Sequence, residues 1–100
     1  MVMYVVRDIF HLKFGHYKDA QALLNDANEK NLLPEAKGTR VLTDFTGDSY
    51  RLIIEETFKS LADYEESLNS SMRTDDWKDW YNKFKDHVHR SHREILNQIM

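Results

Sequence analysis

The first dozen residues are rich in apolar and β-branched side chains, and the two-residue period of a β-strand sorts them onto two faces. Over a strand from about Val2 to Phe14, one face takes Tyr4, Val6, Phe10, Leu12 and Phe14, with Asp8 breaking the row. The other takes Met3, Val5, Arg7, Ile9, His11 and Lys13. After Gly15 the period lengthens: Tyr17, Ala20, Leu23, Leu24 and Ala27 recur at steps of three and four, with Lys18, Asp19, Asn25, Asp26 and Glu29 outside the stripe. That spacing predicts an amphipathic helix. Its end is expected near Asn31, because Pro34 disfavours helical geometry just before it, and Leu32 to Gly38 then connects to the next strands.

The stretch from Thr39 to Phe58 states a strand pairing as well as two strands. Gly47-Asp48 lies between two runs rich in β-branched and aromatic residues, and a Gly-X pair there suits a tight type II′ turn. Closing the chain at that turn puts Thr46 opposite Ser49, Phe45 opposite Tyr50, Asp44 opposite Arg51, Leu42 opposite Ile53, Val41 opposite Ile54 and Arg40 opposite Glu55. Both Asp44–Arg51 and Arg40–Glu55 become opposite-charge neighbours, and a slip of one residue would set the members of each pair on opposite faces. Val41, Thr43, Phe45, Tyr50, Leu52, Ile54 and Phe58 make a face suited to a covering of helices. Arg40, Leu42, Asp44, Arg51, Ile53, Glu55 and Thr57 make the second face, too charged for a dry core and too apolar at its centre to be left wet.

Beyond Phe58, Ser60 is the expected cap of a second helix, with Asp63 three residues on and Leu61, Tyr64, Leu68 and Met72 as its stripe. Thr74 followed by Asp75 and Asp76 opens a shorter third helix, whose buried side is supplied by Trp77, Trp80, Tyr81, Phe84 and Val88. The last segment, His92 to Met100, is expected to be a strand. The order βαββαβ, with an extra short helix before the last strand, is a ferredoxin-like α+β arrangement: one antiparallel sheet with helices on one face and the other face open. No internal repeat interrupts this single domain of residues 1–100.

Composition changes the picture chiefly by exclusion. Fourteen basic against seventeen acidic residues give a net charge of −3, so no basic field invites nucleic acid or an anionic membrane surface. With no cysteine, thiolate nucleophiles, thiolate metal sites and disulfides are excluded together. The opening MVMYVVRDIF has no basic segment ahead of a long apolar run, and no stretch reaches the roughly 18–20 apolar residues of a membrane span, so a cytoplasmic location is expected.

Chemistry is sought on the open face, where Arg7, His11, Arg51 and Glu55 are expected to converge. Guanidinium groups hold carboxylates in two-pronged fashion, and an imidazole exchanges protons near neutral pH. In a catalytic reading His11 transfers the proton, Arg7 and Arg51 polarise or hold an anion, and Glu55 orients. In the bland reading these charges only pair across strands and between subunits. His87, His89 and His92, with Glu94 nearby, carry ligand types suited to zinc or iron. On a helix, positions two apart diverge, and Arg90 and Arg93 would repel a cation; no metal ligand and no cofactor are expected. Trp77, Trp80 and Tyr81 are candidates for a cavity wall.

Several segments together carry a family likeness: MYVVRDIFHLKFG at Met3–Gly15, RVLTDFTGDSYRLIIE at Arg40–Glu55, FKSLADYEESL at Phe58–Leu68 and WYNKF at Trp80–Phe84. They resemble the NIPSNAP-like branch of the dimeric α/β-barrel superfamily. The resemblance implies a homodimer in which two sheets meet through their open faces, and a cavity for a small molecule. The superfamily spans cofactor-independent monooxygenases, haem-degrading enzymes, dechlorinating and isomerising enzymes and members without a known reaction, so the likeness does not choose among them. The expectation is a small-molecule-binding protein, with a cofactor-independent oxygenase as its catalytic form. A non-catalytic stress-response or interaction dimer and a haem-degrading monooxygenase are the alternatives. In the haem-degrading relatives a tryptophan, a histidine and an asparagine frame the porphyrin; here the first strand has Arg7 and Asp8 and no asparagine.

Overall fold

The structure is a computed structural model describing residues 3–30, 37–47, 50–71 and 74–100. Strand β1 (Met3–Leu12) leads into α1 (Tyr17–Glu29), then β2 (Lys37–Thr43), β3 (Arg51–Phe58), α2 (Leu61–Ser71), α3 (Asp75–Phe84), a 3₁₀ turn (Lys85–His87) and β4 (Val88–Gln98). The four strands form one sheet in the order β2-β3-β1-β4, every neighbouring pair antiparallel. This is the ferredoxin-like α+β fold expected from the sequence, with the extra helix where the aspartates after Thr74 place it.

The hairpin register holds: Arg40 faces Glu55, Val41 faces Ile54 and Leu42 faces Ile53. Regular pairing stops at Thr43 and Leu52, and the Asp44 carboxylate turns back to accept from the Arg51 main-chain N–H at 3.3 Å. Gly47 has φ +106°, a conformation open to glycine, while the Asp48–Ser49 part of the expected turn lies outside the described residues. So do Asn31 to Ala36, the region of the expected helix stop at Pro34, along with Val2 and Met72.

Helix starts follow their capping residues. The Asp63 N–H donates to Ser60 Oγ at 3.1 Å and the Trp77 N–H donates to Thr74 Oγ1 at 3.2 Å, each satisfying a main-chain donor that the helix itself cannot. Leu61, expected in the apolar stripe, is half exposed. Val88, assigned above to the third helix, opens β4 instead, so the last strand begins four residues before His92.

Alternation sorts the faces as expected at the centre of the sheet, whereas Phe14, Val41 and Phe45, expected under the helices, are exposed, and Ile9 and Ile53 of the other face are buried by their neighbours. Leu12, Leu52 and Ile54 pack with Ala20, Leu24 and Ala27 of α1 and with Trp80 and Phe84 of α3 in one core. Aromatic rings interlock around it: Phe84 lies edge-on to Phe10 with centroids 5.1 Å apart and stacks on Trp80 at 5.0 Å, and Trp77 stacks on Tyr81 at 4.9 Å. The Trp80 indole N–H donates to the Leu23 carbonyl at 2.6 Å, tying α3 to α1. Among the described residues no helix is long and apolar enough to cross a membrane.

Candidate functional site

Helix α3 lies over the sheet without filling the space beneath it, leaving a cavity of about 470 Å³. Trp77, Trp80, Tyr81 and Phe84 wall it from above, because positions i, i+3, i+4 and i+7 share one side of a helix. Phe10 and Ile54 form the apolar part of the floor, and Ser91, His92 and Arg93 of β4 its rim. At the polar end two acids interrupt the sheet's apolar rows. Asp8 sits opposite Ile54 and Glu56 opposite Val6, so the two are diagonal neighbours on the same face.

The acids have different partners. Asp8 faces Arg93 across β1 and β4, and the Arg93 Nε donates to Asp8 Oδ1. The same guanidinium lies 5.6 Å from the ring centre of Tyr64 on α2. Glu56 is 7% exposed, and among the described residues its Oε2 meets no hydrogen-bond partner. Burial, reinforced by the negative charge of Asp8 and opposed by Arg93, pushes the Glu56 carboxyl from 4.5 to about 7. Burial likewise raises the Tyr64 phenol, whose hydroxyl has no partner among the described residues. The site is thus an aromatic slot ending in a carboxyl group poised between its two protonation states near neutral pH.

None of the residues expected to carry chemistry on the open face lines this cavity. Arg7 and Glu55 are brought together at 3.4 Å, and Glu55 also bonds Arg40 while Arg7 reaches Glu94 at 3.5 Å. One row of alternating charge, Arg40–Glu55–Arg7–Glu94, therefore crosses all four strands. The row of Leu42, Ile53, Ile9 and His92 runs beside it. Beyond that, His11 faces Arg51 across β1 and β3; Arg51 grips Asp44 through Nη2 at 2.8 Å and Nε at 3.1 Å, and His11 stacks on His92 at 5.5 Å. Arg51 also holds the Asp44 carboxyl below its ordinary value through these hydrogen bonds. Trp77, Trp80 and Tyr81, read from the sequence first as the buried side of the third helix and only second as candidates for a cavity wall, all line this cavity, and Trp80 is buried as well. The expected site omitted Glu56, although alternation already placed it between Ile54 and Phe58 on the apolar face.

The histidine tract separates. His87 lies in the 3₁₀ turn, His89 and His92 lie on β4, and the helical spacing considered above does not apply.

Fold and site together define a ferredoxin-like α+β protein with an aromatic cavity between sheet and helix and a buried acid at its end. Solved structures with this fold include a NIPSNAP family protein of unknown function from Agrobacterium tumefaciens. It shares 20% identity over 96% of this chain and 87% of its own, at a TM-score of 0.82. An uncharacterised NIPSNAP domain protein from Burkholderia xenovorans superposes at 0.81 with 8% identity, covering 93% of this chain and 91% of that one. A candidate antibiotic biosynthesis monooxygenase from Nitrosomonas europaea superposes at 0.71 with 15% identity, covering 97% and 99%. What is shared at these identities is the fold. No family model matches the chain, and no curated protein matches it.

Proposed function

We propose that the protein binds a small, planar, mostly apolar molecule with one ionisable O–H or C–H group in the cavity beneath α3, and that Glu56 exchanges a proton with it. The carrying observation is the buried Glu56 carboxyl, half protonated near pH 7, whose Oε2 has no hydrogen-bond partner among the described residues and lies inside an aromatic slot. A carboxylate of that pKa is strong enough as a base to take a proton and weak enough to return it. A volume of about 470 Å³ admits two or three fused rings.

In its catalytic form this reading is a cofactor-independent monooxygenase; that the Nitrosomonas europaea protein sharing the fold is described as a candidate antibiotic biosynthesis monooxygenase supports the oxygenase part of it. Proton abstraction turns an electron-rich phenol into an anion able to pass an electron to O2. One ring C–H hydrogen and the O–H hydrogen leave with one oxygen atom as water, and the other oxygen atom stays on the ring as a second quinone carbonyl. The probe is 1-naphthol, whose oxidation by O2 gives a naphthoquinone and one water. Saturable quenching of tryptophan fluorescence by 1-naphthol is expected, with O2 uptake that falls at least about a hundredfold in Glu56→Gln. Absence of saturable quenching removes the binding site; equal uptake by wild type and variant removes the role of Glu56.

The same proposal assigns the open face to a second copy of the chain. Leu42, beside Ile53, and Leu96, opposite Val5, are each about two-fifths exposed there on either side of the ionic row, and the charges of Arg7, Arg40, Glu55 and Glu94 are already paired within the sheet. A row of charges already paired costs less to desolvate than unpaired ones would, and a two-fold mate presents the same row and the same exposed leucines. Sedimentation equilibrium should give a dimer that Leu42→Glu with Leu96→Glu converts to monomer; a monomeric wild type at high concentration would end this part.

A further inference from the structure

We propose that His16, Asp19 and His87 form a three-ligand site for a divalent transition-metal ion of the Zn2+ class, clamping the turn between β1 and α1 to the turn between α3 and β4. One ligand atom from each residue lies within 4.8 Å of the other two. His16 Nδ1 and His87 Nδ1 are 2.9 Å apart, although the residues are 71 positions apart in the chain. Donors bound to a tetrahedral Zn2+ at about 2.0–2.1 Å lie about 3.3 Å from one another, so an ion enters between these rings after a small parting of the side chains.

The backbone holds the three together whatever the rings do. Gly15, at φ +81°, lets the chain turn out of β1, and the His16 N–H donates to the Lys13 carbonyl at 3.0 Å. The Lys13 N–H in turn donates to the His87 carbonyl at 2.9 Å, so one residue fastens both imidazole-bearing segments. His16 caps α1 and Asp19 follows in its first turn, three positions on, which sets both on one side of the helix. The two histidines are half-buried and Asp19 is exposed. An ion held there keeps a fourth position open to water, and two imidazoles with one carboxylate are a donor set suited to Zn2+.

Between two neutral rings the shared Nδ1 contact needs one N–H and one lone pair. Metal binding moves that N–H proton to Nε2 of the same ring and presents both Nδ1 lone pairs to the ion. His89 and His92 take no part, since both lie on β4 and His92 stacks on His11.

The test uses the full chain freed of metal by chelator and then titrated with ZnCl2 alone. Calorimetry should show one ion per chain and a raised melting temperature, and Co2+ in its place should show the visible absorption of a low-coordinate site. Loss of a partner outside the ligand set already costs about 10–100-fold in affinity, so His16→Gln and His87→Gln should each weaken Zn2+ binding at least about a hundredfold. Asp19→Asn, exposed and therefore harmless to folding, should weaken it at least about tenfold. His89→Gln should bind as wild type does. The proposal is overturned if the wild type takes up no Zn2+ at stoichiometric concentration, or if Asp19→Asn and His16→Gln bind as tightly as the wild type. Neither outcome touches the cavity, which uses none of these residues.

Discussion

Replacing Glu56 by glutamine should abolish a pH dependence of stability that the cavity builds in. In the unfolded chain this carboxyl loses its proton near 4.5; folded, it keeps it until about 7, because burial and the charge of Asp8 oppose ionisation. Between those limits the folded state holds a proton that the unfolded state has shed, so the number bound falls on unfolding and stability declines as pH rises. The contribution is complete below 4.5 and lost once pH passes about 7. At about 1.4 kcal/mol for each pH unit, that interval is worth about 3 kcal/mol. A glutamine in its place is neutral throughout, so the stability of Glu56→Gln minus that of wild type should grow by about 3 kcal/mol between pH 4.5 and about pH 8. Urea unfolding at fixed protein concentration, stepped through that range, measures it from the midpoints, provided the slope with urea is the same for both proteins. A difference that stays flat from about pH 4.5 to about pH 8 would show that the Glu56 carboxyl ionises as freely as a surface acid, and the proton-exchange role would fall with it.

Two further substitutions probe the neighbourhood. Phe84→Ala should cost about 3–5 kcal/mol in urea unfolding, since Phe84 is 1% exposed and joins Phe10 to Trp80; a loss under about 1 kcal/mol would mean that α3 is not fastened to the sheet through this ring. Tyr64→Phe removes a hydroxyl that has no hydrogen-bond partner among the described residues, so stability should hold or rise by up to about 1 kcal/mol; a clear loss would reveal a bond to that oxygen.

Much of the architecture was legible because it rests on local rules. The hairpin register could be read from Arg40, Asp44, Arg51 and Glu55, whose charges match in one alignment and separate in its neighbours. Ser60 and Thr74 announced their helices because a capping hydroxyl has a fixed offset from the donor it satisfies. The site was harder to see. Asp8 and Glu56 each break an apolar row, and only the pairing of β1 with β3 shows that the two breaks are diagonal neighbours. The more conspicuous charges are those of the open face, which chiefly satisfy one another in the sheet. The meeting of His16 with His87 left no periodic trace at all, since it follows from how two turns at the same end of the sheet are brought together by the strands.

The sheet order also bears on when the cavity beneath α3 can be completed during folding. Met3 pairs with Gln98 and Asp8 with Arg93, so the central strand waits for the segment farthest from it in sequence, and closing so large a loop is the slowest kind of pairing to nucleate. The hairpin of β2 and β3 can assemble early, but the rim supplied by Ser91 and Arg93 arrives only when β4 docks. A molecule that fits beneath α3 would therefore bind finished chains alone, and its uptake in a refolding mixture would count the fraction of molecules that have completed the last step.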